Sequence, residues 1–120
     1  MEDLKLIKRT LNELDCYEAP GHFGMTAMRM HGKEETGAQK FWLGHSVFLP
    51  GGGAEWAYED NPLEKVYYVL EGEITVIDKD GVEHVVRKDE IITILPFEGR
   101  SVINKTKLPA RMLVIVNYPE

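Results

Sequence analysis

Residues Val66–Val76, with the sequence VYYVLEGEITV, constrain the fold of this chain more than any other segment. β-Branched and aromatic residues dominate Val66–Leu70, and this composition is typical of a strand. Glu71-Gly72 predicts a bend, after which Glu73–Ile77 resumes the strand pattern. The segment therefore predicts two consecutive strands separated by a tight change of direction.

A hairpin signal follows at once. Asp80-Gly81 separates Glu73–Ile77 from Val82–Val86, and Asp-Gly between two such runs favours a tight turn because both residues tolerate left-handed backbone angles. Gly- and Pro-rich breaks separate several other short apolar runs, which predicts a closed or sandwiched all-β architecture. These further strands are predicted at Met25–Met30, Phe41–Leu49, Ile91–Leu95, Ser101–Asn104 and Met112–Val116.

Two segments are harder to interpret. Pro50–Gly53, with the sequence PGGG, is predicted to break the strand Phe41–Leu49, because proline lacks an N–H donor and glycine permits positive φ. Near the N-terminus, Leu4 to Leu14 carry apolar residues at near-helical spacing, and Thr10 with Glu13 could form a capping box. Lys5–Arg9 equally suits a short strand, so both interpretations stay open.

Composition limits the function classes. With 120 residues the chain predicts one domain, and its net charge of −6 makes nucleic acid and anionic membranes poor partners. Cys16 is the single cysteine, which suits a reducing compartment. The N-terminus lacks the apolar core of a signal peptide, and no apolar run is long enough to span a bilayer. We therefore expect a cytoplasmic protein.

From the PGGG segment onward, the pattern resembles the cupin superfamily. The resemblance covers roughly residues 40–116. The family has two motifs, G-x5-H-x-H-x3–4-E-x6-G and G-x5-P-x-G-x2-H-x3-N, and Gly72, Pro96, Gly99 and Asn104 stand at or near their glycine, proline and asparagine positions. It implies an all-β, single-domain cupin jelly-roll barrel over residues 1–120. Its core would span about 40–116, with segment 1–39 packing on the barrel or on a partner subunit.

The resemblance also implies a metal site, but the expected ligand positions hold other residues. Counting from Gly72 and Asn104 places the histidines and the glutamate of the motifs at Glu59, Asn61, Lys65 and Arg100. Counting forward from Pro50 instead places the first histidine pair nearer Ala57 and Glu59, and neither count finds a histidine. Lysine and arginine are cationic at neutral pH and have no free lone pair, so they repel a divalent ion. The interpretation is a degenerate, metal-free site that needs no cofactor.

An inward Lys65 and Arg100 suit an anionic ligand. Tyr67 lies two residues from Lys65 and should share its face of the strand. The predicted ligand-binding residues are Trp56, Glu59, Asn61, Lys65, Tyr67 and Arg100. The alternative is a divalent metal at a nonstandard site built from His45, His22 and Glu59, although no His-x-His pair is present.

Three functions remain open. The leading hypothesis is a small-molecule-binding cupin whose ligand is a small anionic or aromatic acid. The second is a cupin enzyme, an isomerase, decarboxylase or dioxygenase-like protein with the nonstandard metal. The third is a structural or regulatory accessory subunit. The resemblance further implies a homodimer, for which the outward side chains of Val66, Tyr68 and Leu70 would supply a contact.

Overall fold

A computed structural model describes residues 5–119 and shows an almost entirely β protein. Helical structure in this range is limited to a 3-10 turn at Leu11–Glu13 and one helical turn, α1, at Lys33–Thr36. No helix in residues 5–119 is long and apolar enough to cross a bilayer. The strands are β1 (Cys16–Tyr17), β2 (His22–His31), β3 (Phe41–Tyr58), β4 (Lys65–Glu71), β5 (Glu73–Ile77), β6 (Glu83–Arg87), β7 (Ile91–Ile94), β8 (Gly99–Ile103) and β9 (Ala110–Asn117).

The strands form one strongly curved antiparallel sheet. Their order is β6-β5-β8-β3-β9-β4-β7, and β2 also pairs with β3 and carries β1 at its outer edge. Strand β3 joins the two halves of the barrel, because Phe41–Phe48 pairs with β9 whereas Gly53–Tyr58 pairs with β8. This arrangement confirms the predicted all-β cupin jelly roll.

The predicted β5–β6 hairpin is confirmed. Gly81 has φ of +78°, the left-handed conformation expected for this turn. The carboxylate of Asp78 accepts hydrogen bonds from the backbone N–H groups of Asp80 and Val82 at 2.9 and 3.1 Å. The turn is therefore stabilised by residues next to it in the sequence, which is why a local pattern could predict it.

The predicted strand break at Pro50–Gly53 is wrong. β3 continues through all four residues and changes its pairing partner there from β9 to β8. Only Gly51 has positive φ in this segment, at +81°. Gly52 and Gly53 are required for space, because a Cβ atom at either position would collide with the backbone carbonyl of Gly24 or Val102, respectively.

Neither interpretation of the N-terminal segment is correct. Residues 5–10 form no helix or strand. The helical structure of this segment is limited to the 3-10 turn at Leu11–Glu13. Leu4 lies outside the described residues. The Glu13 carboxylate does accept the Thr10 N–H at 3.0 Å, as a capping box requires. A helix of one turn buries too few side chains to continue, since helix formation has a costly nucleus.

The inward side chains form an apolar core at one end of the barrel. Val69 and Ile74 are fully buried there, beside Val76 and Val86. Asn104, also fully buried, donates to the carbonyls of Phe48 and Leu108 and accepts from Thr106, so it ties the β8–β9 connection to β3. The other end of the barrel is not filled, and this leaves room for a site.

Candidate functional site

A cavity of about 410 Å³ occupies the open end of the barrel. Side chains alternate between the two faces of a strand, and alternate residues of β4, β8, β9 and of the first half of β3 line this cavity. Gly44 and Ser46 of β3, with Val114 and Val116 of β9, form part of its wall. Its volume falls within the range typical of sites for small organic ligands.

Lys65 and Glu59 meet in this cavity. Lys65 begins β4, and its Nζ lies 3.8 Å from Oε2 of Glu59, which follows β3 directly. Only 14% of the Lys65 side chain is exposed, compared with 37% for Glu59. Burial lowers the pKa of Lys65, the neighbouring Arg100 charge lowers it further, and Glu59 partly offsets both effects. The positive charge on Lys65 is therefore incompletely balanced.

Arg100 and Tyr67 form the second polar pair. Arg100 is 7% exposed, and its Nε donates a hydrogen bond of 2.8 Å to the hydroxyl of Tyr67. Its Nη1 donates to the Glu55 carbonyl at 3.3 Å. No carboxylate in residues 5–119 forms an ion pair with Arg100. A buried cation held only by neutral partners favours an anion close by.

The structure brings five of the six predicted ligand-binding residues into this one cavity. They come from the end of β3, from β4 and from β8, and are Trp56, Glu59, Lys65, Tyr67 and Arg100. Trp56 is kept in place by Gly99, because its indole ring packs where a side chain at residue 99 would lie. Asn61 is exposed and does not line the cavity.

Sequence reasoning missed two charged residues of the cavity, Arg29 and Glu55. Arg29 lies on β2 in phase with Met25 and Ala27, both of which also point inward. This alternation along β2 is the sequence signal that could have placed Arg29 on the inward face. Glu55 lies within an irregularity in the β3–β8 pairing, between Ala54 and Ala57, so no period-2 pattern could have placed its side chain.

The residues of the alternative metal site do not come together. His22 and Glu59 line the cavity, whereas His45 lies on the opposite face of β3 from Gly44 and Ser46. Across residues 5–119, no three His, Cys, Asp or Glu side chains lie close enough to share a metal ion. At the positions where the motifs place ligands, Lys65 and Arg100 offer only hydrogen-bond donors, so these residues do not fit a divalent cation.

His45 is a buried, neutral histidine on the outer face of the sheet. It is 3% exposed, and its Nε2 accepts hydrogen bonds from Nε and Nη2 of Arg111 at 3.2 and 3.1 Å. Because arginine can only donate, the ring proton must lie on Nδ1, which has no partner in the part of the chain that is described. Burial lowers the pKa of His45 below its usual value of 6.5, and the Arg111 charge adds to this effect.

We expect this histidine to make stability depend on pH. Below pH 6.5 the unfolded chain takes up a proton at residue 45 before the folded chain does, so the free energy of unfolding falls as pH falls. In a His45→Gln variant, whose amide oxygen can still accept from Arg111, this slope of up to about 1.4 kcal/mol per pH unit should disappear. Urea unfolding of both proteins between pH 7.5 and 5 tests this, and parallel curves would contradict it.

The chain matches the family model described as "Cupin domain" over residues 44–116 and belongs to that family. The barrel and its open cavity agree with this assignment. A protein of Mycobacterium tuberculosis named beta-D-galactosidase Rv1717 is 40% identical over 103 residues, and the match covers 86% of each chain.

Solved structures share the fold at lower identity. The polyketide cyclase RemF of Streptomyces resistomycificus superimposes with a TM-score of 0.80 at 23% identity, over 93% of this chain and 80% of that one. A sugar phosphate isomerase of Silicibacter pomeroyi gives 0.77 at 20% identity, over 93% and 76%. A predicted oxalate decarboxylase of Thermotoga maritima gives 0.79 at 16% identity, over 92% and 98%. At these identities the likeness establishes the fold alone.

Proposed function

We propose that this protein binds a small organic acid in the barrel cavity, with Lys65 and Arg100 holding the acidic group. The observation that carries the proposal is that both cations point into one cavity and only Glu59 forms an ion pair with either of them, within residues 5–119. An anion placed between them would offset the repulsion from Arg100, which adds to the effect of burial in lowering the pKa of Lys65. It would also accept charge-assisted hydrogen bonds from both.

The rest of the cavity suits the organic part of such a ligand. Trp56, Tyr67 and Trp42 contribute aromatic surface, and Val114 and Val116 contribute aliphatic surface. A pocket that combines apolar walls with a few convergent charges selects a ligand with an acidic group and an apolar or ring-shaped body. Aromatic and short-chain carboxylic acids fit this description.

A calorimetric screen tests the proposal directly. The untagged protein would be titrated with benzoate, phenylacetate and short aliphatic carboxylates, next to the corresponding neutral amides. Binding of at least one acid without binding of its amide would support the anion site. If the protein ignored every acid and stably co-purified with another protein, the accessory-subunit hypothesis would replace this one.

A second candidate function is hydrolysis of a β-D-galactoside, and the relative that is 40% identical favours it. Most glycoside hydrolases use two carboxyl groups that flank the scissile bond. Glu55 and Glu59 both line the cavity, and Oε2 of Glu59 lies 3.8 Å from Nζ of Lys65. The pair therefore supplies the residue types that this chemistry needs, with Glu59 as nucleophile or base and Glu55 as acid.

If this activity exists, a Glu59→Gln variant should lower kcat on nitrophenyl β-D-galactoside by about 100-fold or more, because the amide cannot serve as base or nucleophile. Glu64→Gln is the matched control, since Glu64 is exposed and does not line the cavity. Equal losses in both variants, or full activity in Glu59→Gln, would remove Glu59 from the mechanism. An inactive wild-type protein would eliminate this candidate function.

We also propose that the protein forms a homodimer through the outer face of the sheet. Val66, Tyr68 and Leu70 of β4 are half-buried there, beside Leu113 and Ile115 of β9. An apolar sheet face of this kind is a common self-association surface. Light scattering after size exclusion should give twice the mass of 13.7 kDa, and Ile115→Asp should give the monomer mass. A monomeric wild-type protein would disprove the proposal.

A further inference from the structure

Arg29 lines the same cavity as Lys65 and Arg100 but lies on a different strand from either of them. In the sheet, Arg29 of β2 pairs with Gly44 of β3, Gly44 with Val114 of β9, and Val114 with Tyr67 of β4. Three strand spacings separate Arg29 from Tyr67, which is about 14 Å along the curved sheet. Since Tyr67 bonds to Arg100, the cavity has cationic groups at two separate places on its wall.

Two aromatic rings hold the Arg29 side chain in position. Its Cζ lies 4.3 Å from the ring centroid of Trp42 and 4.9 Å from that of Tyr17. The Trp42 ring can lie beside Arg29 because residue 44 is glycine: a Cβ there would approach the ring to 3.1 Å. Cation–π contacts of this kind orient a guanidinium but leave its N–H groups free to donate.

Those N–H groups have no protein acceptor in residues 5–119. The Nε atom of Arg29 is buried and makes no hydrogen bond, and the guanidinium forms no ion pair. Arg29 also lines a smaller adjoining cavity together with Asp15, Glu34 and Glu35, yet none of these three carboxylates reaches ion-pair distance of its guanidinium. Buried donors are almost always satisfied in folded proteins, so an unpaired one at the wall of a ligand cavity points to a ligand acceptor.

We propose that Arg29 is a second anion-binding residue of this cavity, so that the ligand carries an acidic group at each end. This inference rests on the proposed binding of an organic acid by Lys65 and Arg100, and it narrows the ligand class to dicarboxylic acids, including sugar diacids. A guanidinium presents parallel N–H donors that match a carboxylate, which is why the second group is assigned as a carboxylate.

The test compares diacids with their monomethyl esters by calorimetry. The probes are succinate, glutarate, adipate and galactarate, each paired with its own monoester, so that only the second charge differs. We expect wild-type protein to bind at least one diacid about tenfold or more tightly than its monoester. In Arg29→Met this ratio should fall to about one while the affinity for the monoester stays unchanged, and Arg29→Lys should give an intermediate ratio.

The outcomes separate this inference from the function on which it rests. If wild-type protein binds monoesters and diacids equally, or if Arg29→Met keeps the wild-type ratio, Arg29 is not a ligand residue although the Lys65–Arg100 site stands. If wild-type protein binds none of these probes, the diacid inference fails, and the separate screen with benzoate, phenylacetate and short aliphatic carboxylates decides the Lys65–Arg100 site. Thermal melts of each variant exclude unfolding, and Arg29→Lys retains the positive charge beside Trp42 and Tyr17 if the methionine variant proves unstable.

Discussion

Replacing Lys65 with methionine should weaken the binding of small carboxylates by about ten- to a hundredfold, which corresponds to the loss of one charge-assisted hydrogen bond. Methionine retains much of the length of the lysine side chain but removes its charge. The folded protein should be as stable as the wild type or more stable, because burial and Arg100 disfavour the charge on Lys65. A loss of affinity without a loss of stability would identify a ligand residue.

The pH dependence gives an independent check of the same residue. Because the pKa of Lys65 is lowered from its usual value of 10.5, Lys65 loses its proton at a lower pH than an ordinary lysine as the pH is raised. The affinity of the wild type for the carboxylate should therefore begin to fall, with rising pH, before pH 10.5 is reached. The affinity of Lys65→Met should not depend on pH in this range. Lys105→Met is the matched control, since Lys105 pairs at 2.7 Å with Glu83 on the surface and does not line the cavity. Unchanged affinity in Lys65→Met would remove Lys65 from the site.

Gly53→Ala should lower the free energy of unfolding by about 3 kcal/mol or more, the range of severe backbone and packing defects. A methyl group at residue 53 would collide with the carbonyl oxygen of Val102, which is backbone and cannot rotate away. The strain would fall on the β3–β8 pairing of Gly53 with Ile103 and Ala54 with Val102. Chemical denaturation followed by circular dichroism measures the effect.

Gly81→Ala separates this steric effect from the general cost of replacing a glycine. Gly81 has φ of +78° and open space around its Cα, so alanine there should cost only about 1 kcal/mol of left-handed strain. Losses of similar size in the two variants would show that conformational freedom, not close approach of β8, explains the glycine at residue 53.

Local sequence patterns predicted most strands because their determinants lie within the strands themselves. The β5–β6 hairpin depends on Asp78, Asp80 and Gly81, which are neighbours in the chain. The PGGG segment shows the limit of this reasoning. A glycine in this segment could end a strand, or it could allow the backbone of another strand to approach closely. The choice depends on Gly24 and Val102, which are distant in sequence.

The candidate site shows the same division. Spacing along β4 was enough to place Lys65 and Tyr67 on one face, because side chains of a strand alternate with period 2. It could not reveal that Arg29 lines the same cavity, since that depends on the registers of three separate strand pairs. Nor could it show that His45 faces away from the cavity, because a strand with two half-buried faces has no polar side to mark its orientation.

The amino-acid sequence by itself determined the β class, the hairpin and the residue types at the altered ligand positions, because these follow from backbone preferences and charge. Only the tertiary structure decided which charges share a cavity and which remain unpaired. Lys65, Arg100 and Arg29 lie on three different strands. The distances between such residues are set by strand pairing and barrel curvature, and no single strand determines either of these.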